Sequence, residues 1–355
     1  MRPSPPRRPS ASPPRRPSRR ALLAAAPLAT LGLASCGVPE EMQVDAETVL
    51  SIALGQAESH PSYGALVDFG DDLAAATDGR IGSRVYPNES LGAQQEVVQL
   101  VSDGAVDMAV ISSTTLENLS VRFRPMNLPG VFDDIDHQAL ALADEAITGE
   151  VFTSLEDSAN LMVLGGFTQG ARHVYPSSGV VMTPEDLTGR KIRVQESDVF
   201  LDLIRAMGGS PTPMAYGEVY TALQAGVLDG AENNEISYWT QRHYEIAGFY
   251  NLTSHFVGFD YLVINAARLR ELGGDEDAFR ATVAAMQDTF VETWRAETEA
   301  TMTQMVEAGV QVAEPDVPEV WSPIYEEVAR SFLTTAEDEQ LYESIRALAP
   351  TEGGA

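Results

Sequence analysis

The chain reads as an α/β protein of two lobes. Short β-branched runs alternate with helix-period segments through its first third, and a second strand, helix and strand series ends on polar tips. About 320 residues remain after an export leader, and the 44% apolar content can fill two cores. A strand over 49–54 (VLSIAL) opens the fold, followed by a helix over 63–77 and a strand over 79–86. A helix over 93–102 and a strand over 106–111 complete a βαβαβ unit, which implies a mostly parallel sheet with helices on both faces. A helix over 136–155 and strands over 161–164 and 171–175 lead into the second lobe. Further on, Phe279, Val283, Met286, Phe290, Trp294, Met302 and Met305 repeat at a helical period over 276–308. That pattern fits one long helix, or two packed helices with an unmarked break.

The segment 186–234 is the most informative. In the strand 191–195, Ile192 and Val194 share one face, and Lys191, Arg193 and Gln195 share the other. A guanidinium on a short inner strand needs a partner. Either one of the chain's many acids forms a structural salt bridge with it, or it meets a carboxylate from outside, which suits its planar fork. The sequence GGSPTP over 208–213 reads as a helix-breaking connector, and 217–224 as a short helix ended by Gly226. A brief strand at 227–228 and a turn at Asp229 and Gly230 then deliver Glu232, Asn233 and Asn234. Strand, helix, strand and polar tip is how α/β proteins present side chains at a crevice.

This run closely resembles the DctP-type solute-binding proteins of tripartite ATP-independent periplasmic (TRAP) transporters. Their pattern L-x-G-x-K-I-R-V…P-T-P-M-A-x-x-E-V-Y-x-A-L-Q-x-G-x-x-D-G-x-E-N is matched here almost residue for residue. Pro87 to Gly92, Gly104 to Met108 and Leu128 to Phe132 fit shorter motifs of the same family, and the likeness covers roughly 51–312. It implies a two-lobed periplasmic-binding-protein-like fold with a hinge crevice and a long helix spanning both lobes. Lobe I would comprise 48–169 with a return near 256–290, and lobe II 170–255 with part of 291–350. By the resemblance, Arg193 is the carboxylate-binding arginine, Arg172 a second arginine beside it, Asn233 a further carboxylate contact, and Tyr216 an aromatic wall. Gln56, Glu58, His60, Gln94 and Ser112 would face them from lobe I and set solute identity. Glu218 and Glu232 read as structural.

Past Asn233, the second asparagine Asn234, the Tyr238 and Trp239 pair and the run Arg242, His243, Tyr244, Glu245 look most like members that bind sugar acids, especially hexuronates such as glucuronate and galacturonate. A C4-dicarboxylate is the alternative. It would want a second cation in the pocket, and Arg80 and Arg84 lie along the second strand rather than at its end. The implied partners are a small anionic solute and the small and large TRAP membrane subunits. A sensory protein presenting its ligand to a receptor would carry the same pocket.

The first 35 residues read as a lipoprotein-type signal peptide: an Arg- and Pro-rich start, a short apolar run from Ala21 to Leu33, and Leu33-Ala34-Ser35-Cys36. Cys36 is the only cysteine, so it is the expected lipidation site, and it supports neither a disulfide nor a thiolate metal cluster. Residues 36–47 would be a tether and 351–355 a disordered tail. The expected location is the outer face of the cytoplasmic membrane, held by lipid. Ser18-Arg19-Arg20 also resembles a twin-arginine signal.

Loss of seven arginines with the leader leaves 16 basic residues against 52 acidic, a formal charge of −36. Such a surface argues against nucleic acid and anionic lipid as electrostatic partners. It also requires an anion site to concentrate its few arginines locally. The five histidines show no metal-ligand spacing, and there is no G-x-S-x-G elbow, phosphate loop or dinucleotide turn. The expectation is therefore a receptor with no cofactor and no metal. An exported enzyme acting on a sugar acid is the rival, with Glu58 or His60 as the nameable general bases.

Overall fold

Two long antiparallel strands hold the two halves of the molecule together. The computed structural model describes residues 46–349, whose strands are β1 (Thr48–Leu54), β2 (Ile81–Tyr86), β3 (Met108–Ser112), β4 (Leu161–Pro176), β5 (Lys191–Val194), β6 (Ser210–Pro213), β7 (Gly230–Asn233), β8 (Phe249–Asn265) and β9 (Gln311–Ala313). They form one sheet in the order β2-β1-β3-β8-β4-β7-β5-β6, with β9 added to β8. β1 runs parallel to both β2 and β3, with the helices Pro61–Ala76 and Gln94–Ser102 as crossovers, as the alternating pattern predicts. β5 lies parallel between β6 and β7 in the other half. β4 and β8 pair antiparallel and pass through both halves.

Strand alternation sorts the side chains. In β1, Leu50, Ile52 and Leu54 pack against Phe69 and Leu73 of the first helix and Phe279, Val283 and Phe290 of the helix Glu276–Glu307. In β5, Ile192 and Val194 enter a separate core with Phe200, Leu203 and Trp321. The helix Glu276–Glu307 is a single element of 32 residues. It contributes Trp294 to the first core, and Met302 and Met305 to a third core with Tyr238 and Tyr250, so it braces both lobes.

Several elements differ from the sequence reading. The strands expected at 161–164 and 171–175 are one strand, β4, because Gly165 (φ 156°) and Gly170 (φ 60°) carry the chain through irregularities in register where other residues would break it. The GGSPTP connector contains β6, and Pro211 and Pro213 are tolerated there because β6 is the sheet edge. The strand expected at 227–228 begins instead at Gly230. The helix expected over 136–155 is two, Ile135–Ala143 and Glu145–Thr153, since Asp144 caps the second by accepting the Ala146 N–H at 2.8 Å. The leader 1–35, Cys36 and the tail 351–355 lie outside the described residues. Among the described residues, no helix is long and apolar enough to cross a membrane.

Candidate functional site

A narrow cleft, with an interior of about 50 Å³ and open at its mouth, lies where strand ends converge. On β3, Met108 and Val110 fill the core, and Ser112, two residues on, continues their face over the cleft. Arg193 reaches the cleft because its neighbours Ile192 and Val194 occupy the opposite face of β5. It is 4% exposed.

The two cleft arginines are held differently. Arg172 is clamped by Glu232, with Nε to Oε2 at 2.6 Å and Nη2 to Oε1 at 2.8 Å, and Nη2 also donates to the Glu232 carbonyl at 3.1 Å. Burial pushes the Glu232 carboxyl up, but the Arg172 charge and hydrogen bonds from His255 and Arg172 outweigh it and hold the group down at about 2. Arg172 thus has an internal counterion. Arg193 donates Nε and Nη2 to the Met214 carbonyl at 3.0 and 2.7 Å, and no carboxylate lies within ion-pair distance of it among the described residues. Three of its five N–H groups remain for another acceptor. Burial lowers its pKa, with the Glu232 charge opposing, yet an arginine stays charged. The site therefore holds one surplus buried cation.

Around that charge the walls are polar. Arg193 Cζ lies 5.9 Å from the centre of the Tyr216 ring. Asn233 accepts the Asn234 N–H through Oδ1 at 2.9 Å, which leaves its amide nitrogen as donor. Gln94 accepts from the Ser112 N–H at 2.8 Å and the Thr115 hydroxyl at 3.0 Å. Gln56 Oε1 and Gln169 Nε2 are buried with no hydrogen-bond partner among the described residues, an acceptor and a donor left for something else.

Of the sequence-predicted residues, Arg193, Arg172, Asn233, Tyr216, Gln56, Gln94 and Ser112 converge on this cleft, whereas Glu58 and His60 do not line it. Glu58 is exposed. His60 turns inward: its Nδ1 accepts the Ser62 N–H at 3.2 Å to cap the first helix, its ring lies 5.6 Å from that of Trp294, and burial lowers its pKa to about 3. Asn234 caps the helix Glu235–Thr240 by accepting the Ser237 N–H at 2.7 Å. Tyr238 and Trp239 pack in the aromatic core and Arg242 pairs with Glu245, so the segment that suggested a sugar acid lies behind the cleft wall.

Other lining residues escaped the sequence reading. Gln195 accepts from the hydroxyls of Ser112 (2.5 Å) and Thr114 across the cleft. Its place two residues from Arg193 on one strand face was the available signal. Asp260, an acid within the apolar run from Phe256 to Ile264, was another. A wider groove between the segments 121–125, 145–151 and 334–344 holds two arginines, but Arg124 is paired with Glu117 at 2.9 Å and Arg122 with Glu150 at 3.7 Å. The surplus cation singles out the cleft.

Comparison with known proteins places similar chains in one group. The family model DctP, described as bacterial extracellular solute-binding protein, family 7, matches residues 52–335. A solute-binding protein of Chromohalobacter salexigens is 33% identical over 293 residues, covering 79% of this chain and 87% of the relative. A TRAP periplasmic solute-binding protein of Bradyrhizobium, solved with galacturonate, superposes with a TM-score of 0.80 at 33% identity over 84% of this chain and 99% of that one. One from Chromohalobacter salexigens with bound D-glucuronate gives 0.79 at 32% identity, again over 84% and 99%.

Proposed function

Since the chain belongs to the bacterial extracellular solute-binding proteins of family 7, we propose that it is a receptor that captures a hexuronate, glucuronate or galacturonate, and delivers it to the small and large membrane subunits of a TRAP transporter. The observation that carries the reading is Arg193, a buried guanidinium with three free N–H groups and no protein counterion among the described residues. Arg193 takes the solute carboxylate bidentately, Asn233 adds an amide donor, and Tyr216 supplies the flat wall. Arg172, neutralised by Glu232, shapes the pocket and adds little net charge.

One surplus cation suits one carboxylate, which favours a monoacid over a C4-dicarboxylate. The unpartnered Gln56 oxygen and Gln169 amide nitrogen favour a solute rich in hydroxyls. The hexuronates bound by the similar Bradyrhizobium and Chromohalobacter proteins meet both conditions. Binding rather than turnover is the role, so incubated uronate should be recovered unchanged. Residues 1–35 direct export, and lipid on Cys36 holds the receptor at the outer face of the cytoplasmic membrane. Cys36→Ser should release it from the membrane fraction, and continued retention would contradict the anchor.

Thermal unfolding against hexuronates, aldonates, C4-dicarboxylates and neutral sugars tests the reading. A ligand at about 1,000 times its Kd stabilises by about 4 kcal/mol, a rise of roughly 6 °C in Tm for a chain of this size. A rise with uronates is expected, and a rise with dicarboxylates alone would replace the solute.

A further inference from the structure

Asp260 is a carboxyl group with no assigned task. It sits on β8 opposite Ser112 of β3 and Phe167 of β4, where the paired strands cross from one lobe to the other. On one face of β8, Val257, Phe259, Tyr261 and Val263 fill a core, and on the other Leu262 and Ile264 fill a second. Asp260 is the next residue along that second face, and there it lines the cleft at 7% exposure. Among the described residues its side chain has no hydrogen bond or ion pair. Arg172 is the cation that acts on it, and that guanidinium is already held by Glu232 at 2.6 and 2.8 Å.

A buried carboxylate in an anion-binding cleft is unfavourable for capture of an anion. Arg172 and Arg193 supply two positive charges and Glu232 one negative. An ionised Asp260 with a bound carboxylate would leave the cleft with a net negative charge in a water-poor site, whereas a neutral Asp260 leaves it balanced. A neutral carboxyl also offers one O–H donor and an acceptor oxygen, a pair suited to a sugar hydroxyl. We propose that Asp260 is a specificity-determining residue of the cleft, recognising a solute hydroxyl in its protonated form, so that each solute captured above neutral pH brings close to one proton with it. The proposal rests on the carboxylate-receptor reading above.

The free protein is poised for this. Burial, opposed by Arg172, pushes the Asp260 carboxyl up to about 7. An arriving anion raises it further. The other charged or titratable groups around it are Arg172 from β4, Arg193 from β5, Tyr216 above the cleft, and Glu232 with His255 behind Arg172, while Glu89 and Glu196 stand at the rim. Below pH 7 the proton is already present and affinity is level. Above it, each captured anion must recruit the proton, and affinity falls by up to about tenfold per pH unit.

Titration calorimetry on the purified full chain with D-glucuronate and D-galacturonate, at pH 5.5 in acetate and in MES and at pH 8.0 in phosphate and in Tris, counts the protons from the dependence of the heat on buffer ionisation. Wild type should take up close to one proton per solute at pH 8.0 and almost none at pH 5.5. Asp260→Asn should still bind, with no uptake from this site and a Kd level across the range, which separates Asp260 from Glu89 and Glu196. Asp260→Ala should lose tenfold or more in affinity. Absence of proton uptake by wild type at pH 8.0, unchanged uptake in Asp260→Asn, or wild-type affinity in Asp260→Ala would each overturn the proposal. If another carboxylate binds in place of a hexuronate, the solute assignment fails while the proton count on that acid still decides the role of Asp260. Binding of no carboxylate at all refutes both.

Discussion

On the proposed reading Arg193 carries the binding energy, because its burial leaves it no protein counterion among the described residues. Arg193→Ala should leave the fold intact and weaken carboxylate binding by a hundredfold or more, in line with the 2–5 kcal/mol typical of a buried charge pair. Arg193→Lys keeps the charge but not the fork, so calorimetry should place it between the two. Arg172 behaves oppositely. Removing Glu232 strands its guanidinium in the interior, so Glu232→Ala should cost about 3–5 kcal/mol of stability in urea titrations. The buried acids Glu232 and Asp260 also pull stability in opposite directions with pH. Glu232, depressed to about 2 when folded, contributes stability that is present above its ordinary value near 4.5 and lost as pH falls through about 2. Asp260, raised to about 7, contributes stability present below its ordinary value near 3.8 and lost as pH rises through about 7. The Tm of the solute-free protein should therefore fall between pH 4 and 7 more steeply in wild type than in Asp260→Asn, and parallel curves would contradict that assignment.

Elements show where sequence reasoning succeeds. The βαβαβ unit was legible because β1, β2 and β3 are short β-branched runs separated by amphipathic helices, a local pattern. β8 was not foreseen, since a 17-residue strand buried on both faces has no alternation to betray it. β4 was split by its glycines. Gly170 has φ 60°, and a Cβ there would lie 2.6 Å from Trp294 Nε1 of the long helix. Gly170→Ala should thus destabilise by about 1–3 kcal/mol through backbone strain and displacement of that indole, seen as a lower urea midpoint. The cleft followed the same rule. Arg193, Asn233 and Ser112 were legible from motif and strand period, while His60 was not, because a histidine after a strand reads alike whether it faces a ligand or caps the next helix.

At the scale of the whole molecule, the lobes are drawn together over the cleft. Glu89 of lobe I accepts the Gly217 N–H of lobe II at 3.0 Å, Gln195 bridges to Ser112 and Thr114, and Glu196 accepts from Gln95 at 2.5 Å. These contacts tie the two walls of the cleft to each other, so a solute between them would be held by them as well as by Arg193. Glu89→Ala should speed dissociation several-fold with little change in association rate, which stopped-flow fluorescence would resolve. The strongly acidic surface needs a locally concentrated cation to admit an anion, and in the proposed function Arg193 is that cation. The most direct test of this account is calorimetric titration of wild type and Arg193→Ala in parallel with D-glucuronate and D-galacturonate. The account predicts one tight site in the wild type and a hundredfold or greater loss in a variant of unchanged circular dichroism. Equal affinity in the two proteins would contradict it.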